Sequence, residues 1–315
     1  MLNQDLLHQI LTCPALPTLP AVAVRIIEFS GRAEVPLIEL ARLIEKDQAL
    51  SAKVLRLVNS SYFGLSRPCS TIGQAVVLLG QRKVRQVALT FSLVGVMRGV
   101  KAGVFDFDRY WRRSLYTAVA AQTYAAQAAM IEPDEAFLAG LLQDLGQFAL
   151  FRAMGSEYER ILERTGGDHR CLGEIELAEL DITHSEVGAC LAERWKFPAS
   201  IVGGIRYHDR ATAAPREHAD LCRCVMLGNL AHDVLTDAEP AVSIDRLCVL
   251  GREWFDATED QTAGVLTQVA EQARTLSPLL GLNTGPYPDA AAIVARAADL
   301  RRGLARTFPP QRDAA

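Results

Sequence analysis

Apolar residues recur at three- and four-residue spacing along almost the whole chain, and nowhere do they alternate long enough to make a half-buried strand. That periodicity restricts the fold to the all-α class. After Pro20, the residues Val22, Ile26, Ile27 and Phe29 mark a helix that should end at Gly31. Leu37, Leu40, Ala41 and Ile44 predict a second helix. Leu50, Val54, Leu57 and Val58 predict a third, which runs into Asn59-Ser60-Ser61. Val76, Val77 and Leu79 precede Gly80, a predicted helix stop, and Val84, Val87, Ala88, Phe91 and Val94 share one face of the helix beyond it.

The pattern is interrupted between Gly99 and Asp108, where Gly, Asp and Phe replace the regular spacing. A boundary there divides an N-terminal helical subdomain, residues 1–105, from a helical subdomain over 106–235, with a C-terminal helical extension and polar tail over 236–315. An Ala-rich helix should run from about Tyr110 to Met130, and Pro133-Asp134-Glu135 should open the next, with Pro in the first turn and acids facing the helix dipole. Thr183-His184-Ser185-Glu186 has the form of a capping box. Further helices are predicted from Pro198 and after Pro215; Pro309 to Ala315 reads as tail.

With 50% apolar and 22% charged residues, the chain is not intrinsically disordered. The net charge of −4 argues against a broad phosphate-binding groove. Gln81-Arg82-Lys83-Val84-Arg85 is a local basic cluster without interleaved aromatics, so it reads as a solvated helix face rather than a nucleic-acid surface. No segment reads as a membrane span, because the long uncharged run Ser114 to Ile131 is rich in alanine and broken by polar residues. The N-terminus lacks the features of a signal peptide, so a cytoplasmic location is expected. The seven cysteines are odd in number and scattered, and Cys222-x-Cys224 has no second pair at zinc-ribbon spacing; free thiols are expected. Phosphate-cradling Gly-rich loops and Gly-x-Ser-x-Gly nucleophile motifs are absent from the sequence.

Chemistry concentrates at three residues. Asp144 sits among Leu141, Leu142 and Leu145, where a carboxylate is costly unless paired or bound to a cation. His184 falls in the first turn of one helix, and His208 continues the apolar face set by Ile201 and Ile205. Two imidazoles and a carboxylate suit a transition metal, although spacing leaves open whether they meet. His8, His169, His218 and His232 read as surface or satisfied core histidines.

At these residues the chain resembles the HDOD domain, the HD-related output domain of bacterial signalling proteins. The likeness begins at Pro14-Ala15-Leu16-Pro17-Thr18-Leu19-Pro20 and continues through Ile44-Glu45-Lys46-Asp47-Gln48-Ala49-Leu50 to Leu57-Val58-Asn59-Ser60. It resumes at Tyr62-Phe63-Gly64 and Ile72-Gly73-Gln74-Ala75, then at Trp111, Ala139-Gly140-Leu141-Leu142-Gln143-Asp144-Leu145-Gly146, His184-Ser185-Glu186-Val187-Gly188-Ala189, Arg194-Trp195-Lys196-Phe197-Pro198 and Tyr207-His208. It covers roughly residues 13 to 210. The resemblance implies an N-terminal helical subdomain packed on a degenerate HD-type helical bundle.

HD-type phosphohydrolases, including the HD-GYP enzymes that hydrolyse cyclic di-GMP, hold divalent metals through an early histidine, a His-Asp pair, later histidines and a final Asp. Carried onto this chain, those positions fall at or near Arg113, at Gln143-Asp144, at His184, at Tyr207-His208 and at Asn229. Asp144, His184 and His208 survive; the others are neutral or cationic. The resemblance therefore implies no catalytic residues, no cofactor and no tightly held metal, since a guanidinium near a ligand position repels a dication. Any retained metal would fall to Asp144, His184 and His208. Arg113, turned inward, could pair with Asp144 or bind an anion.

The function implied is a non-enzymatic signal-transduction module. It would bind a partner protein or small ligand through a pocket of Arg113, Gln143, Asp144, His184, His208 and Asn229. The segment Arg246 to Leu304 is similar to the extension that joins such domains to a diguanylate cyclase. The expected partner is thus a separate cyclase or other output protein, within cyclic di-GMP signalling, or a second copy of the chain in a homodimer; neither a membrane nor nucleic acid is expected. The competing reading is a metal-dependent phosphohydrolase of a nucleotide or cyclic dinucleotide.

Overall fold

A computed structural model describes residues 3–30, 36–97, 105–129, 131–237 and 240–285, with a few positions up to 295. Among them are fifteen α-helices and two 3-10 turns, and no strand. Gly31, most of the interruption at Gly99 to Asp108, and the tail Pro309 to Ala315 lie outside the described residues. No helix among those described is long and apolar enough to cross a membrane.

The Ala-rich segment forms α6 (Phe107–Ala128), opened by Asp106, whose side chain accepts from the Arg109 N–H. It is the central rod of the molecule. Around it pack α7 (Pro133–Leu142), α13 (Ala219–Thr236) and α15 (Glu259–Leu280). Small residues explain how close they come: a Cβ on Gly140 of α7 would lie 2.9 Å from the Ala118 Cα, and one on Gly228 of α13 would lie 2.6 Å from the Thr117 carbonyl oxygen. Alanine here serves backbone approach rather than hydrophobic mass.

The helices read from the first part of the sequence are present as α2 (Ala21–Ser30), α3 (Leu37–Glu45), α4 (Gln48–Val58) and α5 (Ile72–Met97). Gly80 does break the helix, at φ 82° and ψ 156°, but the chain re-enters helix at once, so α5 is bent rather than ended. Of the apolar residues before the bend, Val76 is buried and Val77 is exposed. The basic cluster beyond the bend is not a bare cationic face: Arg82 pairs with Glu132, and Lys83 with Asp134, at the start of α7. An additional helix, α1 (Gln4–Thr12), packs against α8 (Leu145–Met154) and α11 (His184–Arg194), with Asn3 donating to the Leu180 carbonyl at 3.1 Å. Its short apolar pattern was not distinctive in the sequence. The seven cysteines are free, as expected.

The contact between α8 and α11 brings the chemistry together. Gly146 and Gly188 face each other across it: a Cβ on Gly146 would lie 1.8 Å from the His184 carbonyl oxygen, and one on Gly188 would lie 2.8 Å from the Gly146 nitrogen. Neither backbone can retreat without moving Asp144 or His184, each of which sits at the start of one of these helices. Gly146→Ala should therefore lower stability by about 3 kcal/mol, the upper part of the usual overpacking range, as read by urea unfolding. Gly95→Ala, with open space around its Cβ position, should leave the transition in place.

Candidate functional site

Asp144 ends the turn between α7 and α8 with none of its surface exposed. Its two oxygens face opposite ways. Oδ2 meets the Arg113 Nε at 3.4 Å and accepts from the Gln143 amide at 3.2 Å. Oδ1 meets three imidazoles: the Nε2 atoms of His169 at 3.3 Å, His184 at 3.6 Å and His208 at 3.6 Å. The His184 and His208 Nε2 atoms are themselves 3.3 Å apart. One donor atom from each of the four residues lies within 4.8 Å of the other three.

Each imidazole is aimed by a partner on its other nitrogen. The His184 Nδ1 is 2.6 Å from the Glu176 Oε2, which also accepts the His184 backbone N–H at 2.7 Å. Glu176, on α10 (Leu172–Leu180), is fully buried and accepts from the Tyr158 hydroxyl of α9 (Ser156–Arg164) at 2.6 Å. The His208 Nδ1 lies 2.7 Å from the Ile205 carbonyl, just beyond α12 (Ala199–Arg206), and His169 has the Gln147 amide 3.5 Å from its Nδ1. The Glu176 carboxylate and the Ile205 carbonyl accept at Nδ1 and so turn the Nε2 lone pairs of His184 and His208 toward a cation, whereas the Gln147 amide, a donor, does not set that tautomer at His169.

The convergence is expensive without one. Asp144 Oδ1 and His169 Nε2 are buried, and neither makes a hydrogen bond. Burial would lower the His184 pKa, but the Glu176 carboxylate beside it, with Asp209 and Asp144, raises it to about 9. Burial keeps His208 below its ordinary value despite Asp209 and Asp144. Asp209, exposed at the end of this turn, places Oδ2 3.2 Å from His208 Nε2 and 3.5 Å from His184 Nε2. Burial would raise the Asp144 carboxyl; His169, Arg113 and His208 hold it well below the usual carboxylate range.

Donors about 2.1 Å from a tetrahedral ion lie about 3.4 Å from each other. The separations of Asp144 Oδ1 from the three imidazole nitrogens and of the His184 and His208 nitrogens from each other, 3.3 to 3.6 Å, fit that spacing, and all four donors lie within 4.8 Å of one another. Three nitrogens and one oxygen also fit the donor chemistry of zinc and other late divalent ions rather than magnesium or calcium.

The remaining pocket residues predicted from the sequence are present nearby in other roles. Arg113 points inward, but its shortest ion pair is with the Asp233 Oδ1 at 2.8 Å, beside His232. It grips the oxygen of Asp144 that faces away from the imidazoles and does not stand between them. Of the two roles open to an inward-turned Arg113, pairing with Asp144 is the one present, at the oxygen away from the imidazoles. Gln143 and Asn229 pair with each other, Nε2 donating to Oδ1 at 2.6 Å, with Thr117 donating to the same Asn229 oxygen at 3.3 Å. Gln143 and Asn229 thus form a buried neutral amide pair.

His169 corrects the sequence reading most directly. Its sequence context is that of an ordinary surface or core histidine, yet it is the fourth member of the cluster. It opens the 3-10 turn His169–Cys171 after Gly166-Gly167, where no periodicity reports which way a side chain faces. Glu176 left a fainter signal, an acid between Ile175 and Leu177 of the kind that marked Asp144. The capping box at Thr183 is half formed: Thr183 accepts from the Glu186 N–H, while the Glu186 carboxylate meets Arg206 at 3.2 Å instead.

A cleft of about 750 Å³ reaches Asp144 and His169 from outside. Its walls carry seven carboxylates against four guanidiniums.

Arg113 compensates two buried carboxylates, so Arg113→Met should cost about 3–5 kcal/mol, the usual result of stranding a buried charge. Burial would raise the Asp233 carboxyl, but Arg113 and then His232 hold it well below the ordinary range. The stability this supplies is present above the unfolded carboxyl pKa, near 4, and is lost as pH falls toward the folded value. Urea unfolding at pH 7 and pH 3 should therefore show a larger acid loss in the native chain than in Asp233→Asn.

Comparison with known proteins agrees with this architecture. The HDOD domain profile matches residues 16–211. An uncharacterized protein of Treponema pallidum (strain Nichols) is 28% identical over 234 residues, 73% of this chain; the chain spans 45% of that protein's length. An HDOD domain protein of unknown function from Geobacter sulfurreducens superposes with a TM-score of 0.64 at 26% identity, over 93% of this chain and 94% of that one. A candidate phosphohydrolase from Shewanella amazonensis SB2B shares the fold, with a TM-score of 0.60 at 22% identity over 92% of this chain and 95% of that one. The profile covers well over half of the sequence and runs through the helices that carry Asp144, His169, His184 and His208: the chain belongs to the HDOD domain family.

Proposed function

We propose that this chain is a signal-transduction module that holds one divalent transition-metal ion and does not hydrolyse a substrate with it. The observation that carries the reading is the convergence of Asp144 Oδ1 with the Nε2 atoms of His169, His184 and His208, two of these four atoms lacking any hydrogen bond. Four protein donors make a closed shell of the kind that structural zinc sites use; catalytic sites keep a position open for water or substrate. An ion bound there would supply positive charge and a cross-link between elements.

The residues around the cluster support the same division. A two-metal hydrolytic centre would draw ligands from Arg113, Gln143 and Asn229, and these present a guanidinium and a neutral amide pair. Arg113 is held on the far side of Asp144 by Asp233, so it neutralises the surroundings without competing for the imidazoles. The acidic lining of the cleft favours passage of a cation and disfavours a phosphodiester. The state of the centre would then be read by a partner signalling protein or a second copy of the chain.

A hydrolase remains the second reading because the cleft reaches Asp144 and His169 and is large enough for a small substrate. Hydrolysis would require one donor to leave the ion. The two readings separate in one set of measurements. Purified protein stripped with a chelator and titrated with zinc should take up one equivalent by elemental analysis, and His184→Ala should take up none. Neither zinc nor manganese should produce cleavage of bis-p-nitrophenyl phosphate or cyclic di-GMP. Absence of zinc uptake overturns the metal reading, and chelator-sensitive cleavage overturns the non-enzymatic one.

A further inference from the structure

Three of the four donors are anchored by the buried helical frame. Asp144 and His184 start helices that touch through Gly146 and Gly188, and His208 closes the turn after α12. All three are fully buried. His169 comes from the connection between α9 and α10, and 12% of its side chain is exposed. Gly166 and Gly167 precede it at φ 57° and 90°, a conformation that side chains rarely adopt.

The connection forms a wall of the cleft, from Thr165 to Arg170. From outside, Arg109 donates to the Gly167 carbonyl and Asp237 meets Arg170 at 3.8 Å, while Arg170 pairs with Asp168 within the segment at 2.8 Å. These are exposed or partly exposed pairs, each of small worth. Inward, His169 Nε2 faces Asp144 Oδ1 without a hydrogen bond, and the Gln147 amide on its other nitrogen stands at the limit of hydrogen bonding. A cation between His169 and the other three donors would be the strongest tie that this segment has.

We propose that His169 is a loop-borne metal ligand outside the HD ligand pattern, and that loading the centre fastens residues 165–171 over the cleft, so that metal occupancy is displayed at the surface as the position of this segment. The inference rests on the metal-binding reading above and adds a route from the buried centre to a partner. In the loaded state the segment is a fixed wall of the cleft that Arg113, Asp233 and His232 also line. In the metal-free state that wall loses its inward tie and its position is no longer set by the centre.

Hydrogen–deuterium exchange of the full chain, with and without zinc, tests this when zinc content is measured on the same samples. Backbone amides over 165–171 should exchange about tenfold more slowly in the loaded protein, while those in the middle of α6 stay unchanged. His169→Ala should retain zinc more weakly through the three frame ligands, and its segment should exchange at the metal-free rate whether or not zinc is bound. His169→Gln serves as a second variant that keeps a polar side chain, with the same expectation. Loss of zinc from either variant at protein concentrations where the native chain is saturated also supports ligation by His169. One equivalent of bound zinc with equal exchange in both states overturns the proposal and leaves the metal reading standing. Zinc-dependent protection that survives in His169→Ala likewise overturns it. Failure of the native chain to bind zinc removes both.

Discussion

A carboxylate with no solvent exposure, Asp144, organises this molecule. Its two oxygens face different parts of the fold, Oδ2 meeting Arg113 and Gln143 and Oδ1 facing the imidazole cluster without a hydrogen bond. A buried ion of this kind is tolerated only when charge and geometry are supplied around it. The supply comes from α6, the α9–α10 connection, α11 and the turn after α12, so that elements distant in sequence are bound to one atom group. The crossing of α8 and α11 at Gly146 and Gly188 is the steric counterpart of that electrostatic demand: without the close approach, His184 could not reach Asp144.

Charge balance then decides what the centre can be. Asp144, Glu176 and Asp233 are buried carboxylates, and Asp209 adds a fourth at the edge; Arg113 is the one buried guanidinium among them. The Glu176 carboxylate beside His184, with Asp209 and Asp144, raises its pKa against burial to about 9, so an imidazolium there would restore part of the missing positive charge. A dication restores more, and it does so at the point where the Nε2 atoms and Oδ1 already converge. The guanidinium that the HD pattern would place among the ligands does not oppose this, because Asp233 draws it to the other side of Asp144. On the proposed reading, Arg113, Gln143 and Asn229 would leave room for one ion at the four-donor cluster.

The fold was legible because core helices state their period. Val54, Leu57 and Val58, or Val84, Val87 and Ala88, are buried where the spacing puts them. Asp144 was legible for the opposite reason, as an ion in an apolar run. His184 and His208 could be read from helix position and from the family pattern. His169 could not, because a turn after two glycines with positive φ has no face to infer. The pairing of Arg113 with Asp233 was equally hidden, since the two lie 120 residues apart and only the packing of α6 on α13 joins them. Local pattern reports which residues are inside; it does not report which buried ions share a partner, and the difference between a vacant pocket and a four-donor cluster turns on that.

The segment from α9 to α10 meets the centre at three depths. Tyr158 of α9 donates to Glu176 of α10, Glu176 orients His184, and the turn between the two helices presents His169 to Asp144. The first two links are hydrogen bonds that exist without a metal; the third is an unsatisfied nitrogen facing an unsatisfied oxygen. A cation would complete the third link and load all three together, because ligation of His184 and His169 pulls on the same pair of helices from both ends. On the proposed reading, the part of the chain that would sense the ion and the part that would show its presence to a partner are one continuous stretch, with the rest of the helical bundle holding Asp144 still.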